Sequence, residues 1–215
     1  YKVHFVGHPL LDAIGQREEV NEEAFREANG LDKRPIIALL PGSRKQEIAK
    51  MLKVMLTVVD DFHEYQFVIA GAPAIDYSFY EQFIWNENVH FVSGKTYDLL
   101  SLSYAALVTS GTATLETALL NVPEVVCYKG NRISYEIAKR VIKLKYISLV
   151  NLIMDKPVVT ELIQGDLTTE NLKKELHKLT TYVHRYEVFK NYVLLREKLG
   201  GKGASEKTAA LIIGE

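Results

Sequence analysis

Short apolar runs alternate with amphipathic segments over the first 150 or so residues of the chain. "RPIIALL" (34–40), "YQFVIAG" (65–71), "NVHFVSG" (88–94), "AALVTSG" (105–111) and "PEVVCY" (123–128) are apolar at successive positions, the pattern of strands buried on both faces. Between them, 44–62 carries Ile48, Leu52, Met55, Leu56 and Val59 at helical spacing, and 76–85 reads as a helix with Asp76 at its N-cap. Segments 96–103, 112–120 and 132–143 are expected to be helical as well. Strands alternating with helices predict an α/β fold, a Rossmann-like parallel sheet with helices on both faces. Ligands of such sheets bind beyond the carboxyl ends of the strands.

The character changes after Asn151. Residues 168–215 read as two or three helices without strands. Thr168 with Asn171 opens one, Gly200-Gly201 closes another, and Ser205 lies in the last. A sheet already flanked by helices has no need of these, so they are expected to pack on another domain or another subunit. Internal repeats and low-complexity segments are not evident.

Composition narrows the function. The 215 residues are 47% hydrophobic and 25% charged, enough for one sizeable core. With 26 basic and 27 acidic residues there is no basic excess, which argues against a general nucleic-acid surface. The stretch 131–149 is rich in Lys and Arg with a single acid, Glu136; it reads as a solvated helix face or as a face for anionic lipid or phosphate. The one cysteine, Cys127, reads as a core residue in a reducing compartment. The histidines are not read as a metal site. No apolar run has the length of a membrane-spanning helix, and no secretory leader opens the chain. The opening at Tyr1, mid-strand and without Met, suggests a piece of a longer protein.

Two turns carry candidate chemistry. In "ALLPGSRKQEI" (38–48) a strand gives way to Gly42, Ser43 and Arg44 at a helix N-terminus. Free backbone N–H groups and the positive end of the helix dipole favour an anion there. Gly42 admits a phosphate, Ser43 adds a donor and Arg44 can pair bidentately. The plain alternative is a capped helix with an incidental Arg. It is not a Walker loop, since GxxxxGK[ST] is absent. In "VTSGTATLETALL" (108–120), Ser110, Gly111 and Thr112 form a second phosphate-sized turn. Glu116 lies one helical turn further on the same face, where a carboxylate can accept from two vicinal hydroxyls of a ribose. The alternative is an acid favourably placed near a helix N-terminus. Two such turns after strands of one sheet favour the ligand. Elsewhere, "SLVNLIMDKPVVTELIQ" (148–164) sets Asn151, Glu161 and Gln164 among apolar residues; they either touch substrate or satisfy backbone groups. "VGHPLLD" (6–12) and "GKGAS" (201–205) read as turns.

Taken together, "VGHPLLD", "LLPGSRKQEI", "SGTATLETALLNVPEVVCY", "SLVNLIMDKPVVTELIQ" and "GGKGAS" resemble the lipid-A-disaccharide synthases, glycosyltransferases of the GT-B architecture (family 19). The resemblance implies that the chain is the C-terminal, donor-binding portion. Residues 1–20 would be a linker from an absent N-terminal domain, 21–165 the UDP-sugar-binding domain, and 166–215 a helical segment reaching the other domain or a partner subunit. It implies transfer of 2,3-diacylglucosamine from its UDP donor to 2,3-diacylglucosamine 1-phosphate, with inversion and without metal or cofactor. Gly42, Ser43 and Arg44 would hold the diphosphate, and Arg44 would offset charge on leaving UDP. Ser110, Gly111 and Thr112 would line the cleft, Glu116 would bind the ribose, and Asn151 would lie near the donor as a second catalytic candidate. Glu161 and Gln164 would belong to an adjoining block. The general base would lie in the absent half, so this portion alone is expected to be inactive. The partners implied are the UDP-sugar, an acylated glucosamine phosphate, the cytoplasmic face of the inner membrane and a second copy docked through the C-terminal helices. Val150 and Thr160 stand where the family usually has proline. Competing readings are another UDP-sugar transferase or epimerase-like protein, and a non-catalytic nucleotide-binding domain.

Overall fold

A computed structural model describes residues 3–130 and 145–214; the helix expected at 132–143 and most of the basic stretch lie outside the described residues. Six strands form one parallel sheet: β1 (Ile36–Leu40), β2 (Gln66–Gly71), β3 (Val89–Ser93), β4 (Ser103–Thr109), β5 (Glu124–Tyr128) and β6 (Thr160–Ile163). Their spatial order is β3-β2-β1-β4-β5-β6. From β1 the chain builds outward in one direction, then returns to lay β4 on the other side of β1. Crossovers on the two sides of that point leave a crevice at the strands' carboxyl ends, between β1 and β4. The pairing Leu40↔Val108 fixes which turns border it.

Successive residues of β1 and β2 are buried because both faces are covered. On one face, Ile37, Leu39, Phe67 and Ile69 meet Ile48, Met51 and Leu52 of α3 (Lys45–Met55). The helix expected over 44–62 tightens into a 3₁₀ segment at Leu56–Asp61. Thr57 caps the change by donating Oγ1–H to the Val54 carbonyl at 2.7 Å, a local bond that competes with regular helix, and Val58 and Val59 follow as β-branched residues. On the other face, Ile36, Ala38 and Val68 meet Phe25 of α2 (Glu22–Ala28) and Leu99 and Leu100 of α5 (Thr96–Ser101). Short α4 (Tyr77–Glu81) has Asp76 at its N-cap by position, without a side-chain cap bond.

The structure differs from expectation in several places. The edge strand β6 was not among the five expected; its Thr160 and Glu161 are only half-buried, so it lacks an apolar signature. Segment 1–20, expected as a linker, carries a helix. Residues 3–8 have no regular structure, and α1 (Pro9–Gly15) follows, N-capped by His8 Nδ1, which accepts from Leu10 N–H at 3.2 Å. Its Asp12 accepts from the Gly203 and Ser205 amides, and these backbone donors hold its carboxyl below the usual range.

The C-terminal helices also differ. They pack on this chain's own sheet. Leu172, Leu176 and Leu179 of α8 (Thr169–Thr180) join the core beneath β4 to β6. Val188, Tyr192 and Leu195 of α9 (Tyr182–Lys198) pack on α6 (Thr112–Leu119), with Val150 of α7 (Leu149–Met154), on the opposite face. β5 and β6 extend the sheet beyond what the earlier helices cover, and α8 and α9 close that added area. Thr168 and Asn171 do open α8, and Gly200 ends α9 with φ of +87°. α10 (Ala204–Ile213) exposes Leu211, Ile212 and Ile213, and the outer face of α9 exposes Tyr182, Val183, Tyr186, Val193 and Leu194.

Glu124, at the start of β5, is 1% exposed, and neither carboxylate oxygen has a partner among the described residues. Burial pushes its carboxyl well above the ordinary 4.5, so the folded protein holds a proton that the unfolded chain releases. Stability attributable to this group is therefore full below about pH 4.5 and is lost as pH rises toward the folded value, by at most about 1.4 kcal/mol per pH unit. Urea unfolding between pH 5 and pH 8 should show this decline in the native chain and a flatter profile in Glu124→Gln. Parallel profiles would contradict the assignment.

Candidate functional site

The site begins with β1. After Leu40 the chain turns through Pro41 and Gly42, whose φ of +112° suits glycine and strains other residues. Arg44 then takes the N-cap position of α3 with extended backbone and no side-chain cap bond. On the neighbouring strand, β4 ends at Thr109 and Gly111 precedes α6. Ser110 is tied down by its amide, which donates to the Cys127 carbonyl at 3.2 Å, and by its hydroxyl, which donates to the Ile147 carbonyl at 3.1 Å. Since β1 and β4 are adjacent, the two helix N-termini open into one cleft of about 440 Å³. Gly42, Ser43, Arg44, Ser110, Gly111, Thr112 and Glu116 all line it. The small residues Ala70, Gly71 and Ala72 at the end of β2 leave it room.

Several contributors were not singled out from sequence. Glu47, in the first turn of α3, folds back so that Oε2 accepts from the Ser43 N–H at 3.1 Å. The same oxygen lies over Gly42, where an added methyl group would collide with it. A carboxylate of the chain itself thus rests in the hollow expected for phosphate. Its position resembles a capping box, and a carboxylate three residues inside a helix start is a readable signal. Thr109 is 4% exposed, lines the cleft, and its hydroxyl has no partner among the described residues. Thr96 at the start of α5 lines it too. Behind Glu116, Tyr97 donates its hydroxyl to Oε1 at 2.9 Å. Arg44 and Thr109 also border an adjoining hollow of about 540 Å³ that includes Lys45, Lys50 and Lys129.

The structure does not bring Asn151, Glu161 or Gln164 into this cleft. Asn151 is 1% exposed and its side chain is fully engaged. Nδ2 donates to the Val159 carbonyl and to Glu161 Oε1, and Oδ1 accepts from the Val158 and Val159 amides, at 2.7 to 3.0 Å. Glu161 also accepts from the Ile147 and Ser148 amides and the Ser148 hydroxyl. The pair therefore fastens α7 to β6 and anchors segment 147–148, whose Ile147 carbonyl holds Ser110. Gln164 follows β6 with φ of +53° and an unpartnered buried Nε2. Among the described residues there is no cluster of three or more His, Cys, Asp or Glu able to hold a metal ion.

Fold and cleft define a Rossmann-like domain of the GT-B type. Solved structures share that fold at low identity. The Staphylococcus aureus MnaA–UDP complex superposes with a TM-score of 0.64 at 13% identity, covering 96% of this chain and 52% of that one. A putative UDP-N-acetylglucosamine 2-epimerase from Listeria monocytogenes gives 0.61 at 15%, over 96% and 51%. The glycosyltransferase VinC with DTDP gives 0.57 at 17%, over 91% and 44%. A family model described as lipid-A-disaccharide synthetase matches residues 1–212, and the chain belongs to that family. It is 36% identical to the lipid-A-disaccharide synthase of Syntrophus aciditrophicus, over 98% of this chain and 57% of the relative. With that of Solibacter usitatus it shares 34%, over 98% and 56%. The chain thus spans little more than half the length of these curated relatives.

An anion entering the hollow must displace Glu47 and tolerate its charge nearby. Glu47→Gln removes that charge, an effect of about 1 kcal/mol for groups some 4 Å apart in a solvated site. Calorimetric titration with pyrophosphate should give about fivefold tighter binding to Glu47→Gln than to the native chain. Unchanged or weaker binding would show that the carboxylate does not compete for these amides.

Proposed function

We propose that this chain is the donor-binding portion of an inverting glycosyltransferase and that the cleft between β1 and β4 holds a UDP-sugar. The observation that carries the reading is the convergence of two helix N-termini and Glu116 on one cleft at the point where strand order reverses. Amides at the start of α3 and α6, with Gly42, Ser43, Ser110, Gly111 and Thr112, would cradle the diphosphate. Arg44, exposed and without an ion pair among the described residues, would follow the charge that develops on it. Glu116 would accept from the ribose hydroxyls. Asn151 and Glu161 would act on the cleft through Ser110 and not by contact with the donor.

The family match supports the fuller reaction. The bond from the sugar's anomeric carbon to the UDP oxygen breaks as an acceptor hydroxyl attacks from the opposite face. A general base takes the hydroxyl proton and UDP leaves with the electron pair. For this family the donor would be UDP-2,3-diacylglucosamine and the acceptor 2,3-diacylglucosamine 1-phosphate. Acceptor and base would be held by the part of the enzyme beyond these residues. Acylated substrates would suit peripheral work at the cytoplasmic face of the inner membrane; no helix among the described residues is long and apolar enough to cross a membrane. The exposed apolar end of α10 suits packing on the rest of the enzyme or on a second copy. An epimerase-like reading would use the same nucleotide cleft, and the family match over 1–212 favours transfer.

UDP at about 100 times its Kd should stabilise the chain by about 2.7 kcal/mol. That corresponds to a rise in Tm of roughly 5–10 °C for a domain of this size. Glu116→Ala should remove most of the shift. No shift in the native chain, or a full shift in Glu116→Ala, would overturn the nucleotide assignment. The transferase assay with both acylated substrates should give no turnover from this chain alone; a robust rate would overturn the division of labour.

A further inference from the structure

Glu116 does not stand free in the cleft. The Tyr97 hydroxyl donates to Oε1 at 2.9 Å, which leaves Oε2 without a partner from that side chain. Tyr97 does not itself line the cleft; it is half-buried behind Glu116, on α5. Its ring is held from the other side by Arg17, whose guanidinium carbon lies 4.9 Å from the ring centroid. Arg17 in turn pairs with Asp98, the next residue on α5. The line Asp98–Arg17–Tyr97–Glu116 therefore runs from the segment between α1 and α2 to the floor of the cleft.

We infer that Tyr97 is a positioning residue that sets the Glu116 carboxylate for a vicinal diol, by occupying one oxygen and aiming the other at the ligand. A carboxylate on a helix surface has several rotamers, and ligand binding must otherwise fix one of them at an entropic cost. A hydrogen bond to a charged acceptor is strong enough to hold that choice in advance. The donor role is secure over the working pH range, because burial first, and then Glu116, push the Tyr97 hydroxyl up to about 12. A tyrosine that only filled space would leave the ring necessary and the hydroxyl dispensable.

This inference rests on the nucleotide reading above, and its test separates the two. Tyr97→Phe keeps the ring and its contact with Arg17 and removes only the donor. Calorimetric Kd values for UDP and 2′-deoxy-UDP would be measured on the native chain, Tyr97→Phe, Glu116→Ala and the double variant. The native chain should prefer UDP. Tyr97→Phe should lose about fivefold of that preference through weaker UDP binding, with 2′-deoxy-UDP nearly unchanged, as expected for one neutral-to-charged hydrogen bond. In the Glu116→Ala background the Tyr97 substitution should have no further effect. If the native chain discriminates and Tyr97→Phe discriminates equally, the positioning role falls while the nucleotide reading stands. If Tyr97→Phe weakens both ligands alike, or still acts without Glu116, the hydroxyl serves the fold and the inference is overturned. If the native chain binds UDP without preference, the ribose role of Glu116 falls and takes this inference with it. Failure to bind UDP at all overturns both. Melting curves of each variant report whether the fold is intact.

Discussion

The parallel pairing of β1 with β4 is the constraint on which the rest depends. Leu39 and Leu40 lie opposite Leu107 and Val108, so the strands stop level with each other and their following turns emerge side by side. A shift of the pairing along β4 would separate the turns along the strand axis by about 3.3 Å per residue. The α3 and α6 N-termini would then no longer open into one cleft. The register is held by burial: these strand residues are at most 5% exposed on both faces of the sheet, and displacing them would expose apolar area on each.

The second half of the chain serves this geometry from behind. α6 carries Glu116 on one side and rests on α9 on the other. It ends in a Schellman turn in which Asn121, with φ of +60°, donates to the Ala118 carbonyl and Val122 donates to the Thr117 carbonyl. α9 clamps this turn. Tyr192 donates its hydroxyl to the Val122 carbonyl at 3.1 Å, Arg196 donates to Asn121 Oδ1 at 2.9 Å, and Arg196 also meets the Leu119 carbonyl. The other end of α6 is steadied through Ser110, Ile147 and Glu161. Both ends of the helix that presents the carboxylate are therefore fixed by elements far away in sequence.

How much of this was legible follows from the kind of signal each residue leaves. β1, β2 and β4 announce themselves because burial on both faces makes every position apolar. That Gly42 and Ser110-Gly111-Thr112 lie at helix starts was readable because small residues follow directly on apolar strand runs, and both turns line one cleft. β6 was not, since an edge strand carrying Thr160 and Glu161 has no such run. Asn151 and Glu161 were correctly marked as polar groups needing partners, but a sequence does not say whether the partner is a ligand or a backbone. Here Asn151 completes its hydrogen bonding within 151–161, so it has none left to offer. The placement of α8 and α9 was missed for a related reason: the five expected strands already had flanking helices, and β6, which adds area to be covered, was not counted. Tyr97 leaves no local signal at all, because its meaning comes from a contact with a residue 19 positions away.

The position of Glu47 bears on the electrostatic character of the cleft. A carboxylate in water is well solvated and gives up that hydration only for donors that replace it. Glu47 nevertheless turns toward the amide of Ser43, the start of its own helix. The groups that attract it are those available to any anion of similar size: a backbone N–H, the unpaired amides that follow it and the positive end of the dipole. α6 repeats the arrangement across the cleft, there without an acid in its first turn. On the α3 side a carboxylate of the chain itself meets the Ser43 amide, while α6 has no acid in its first turn to do the same. Under the proposed nucleotide reading, a ligand with two linked negative groups would meet both sides at once, which a single side-chain carboxylate cannot do.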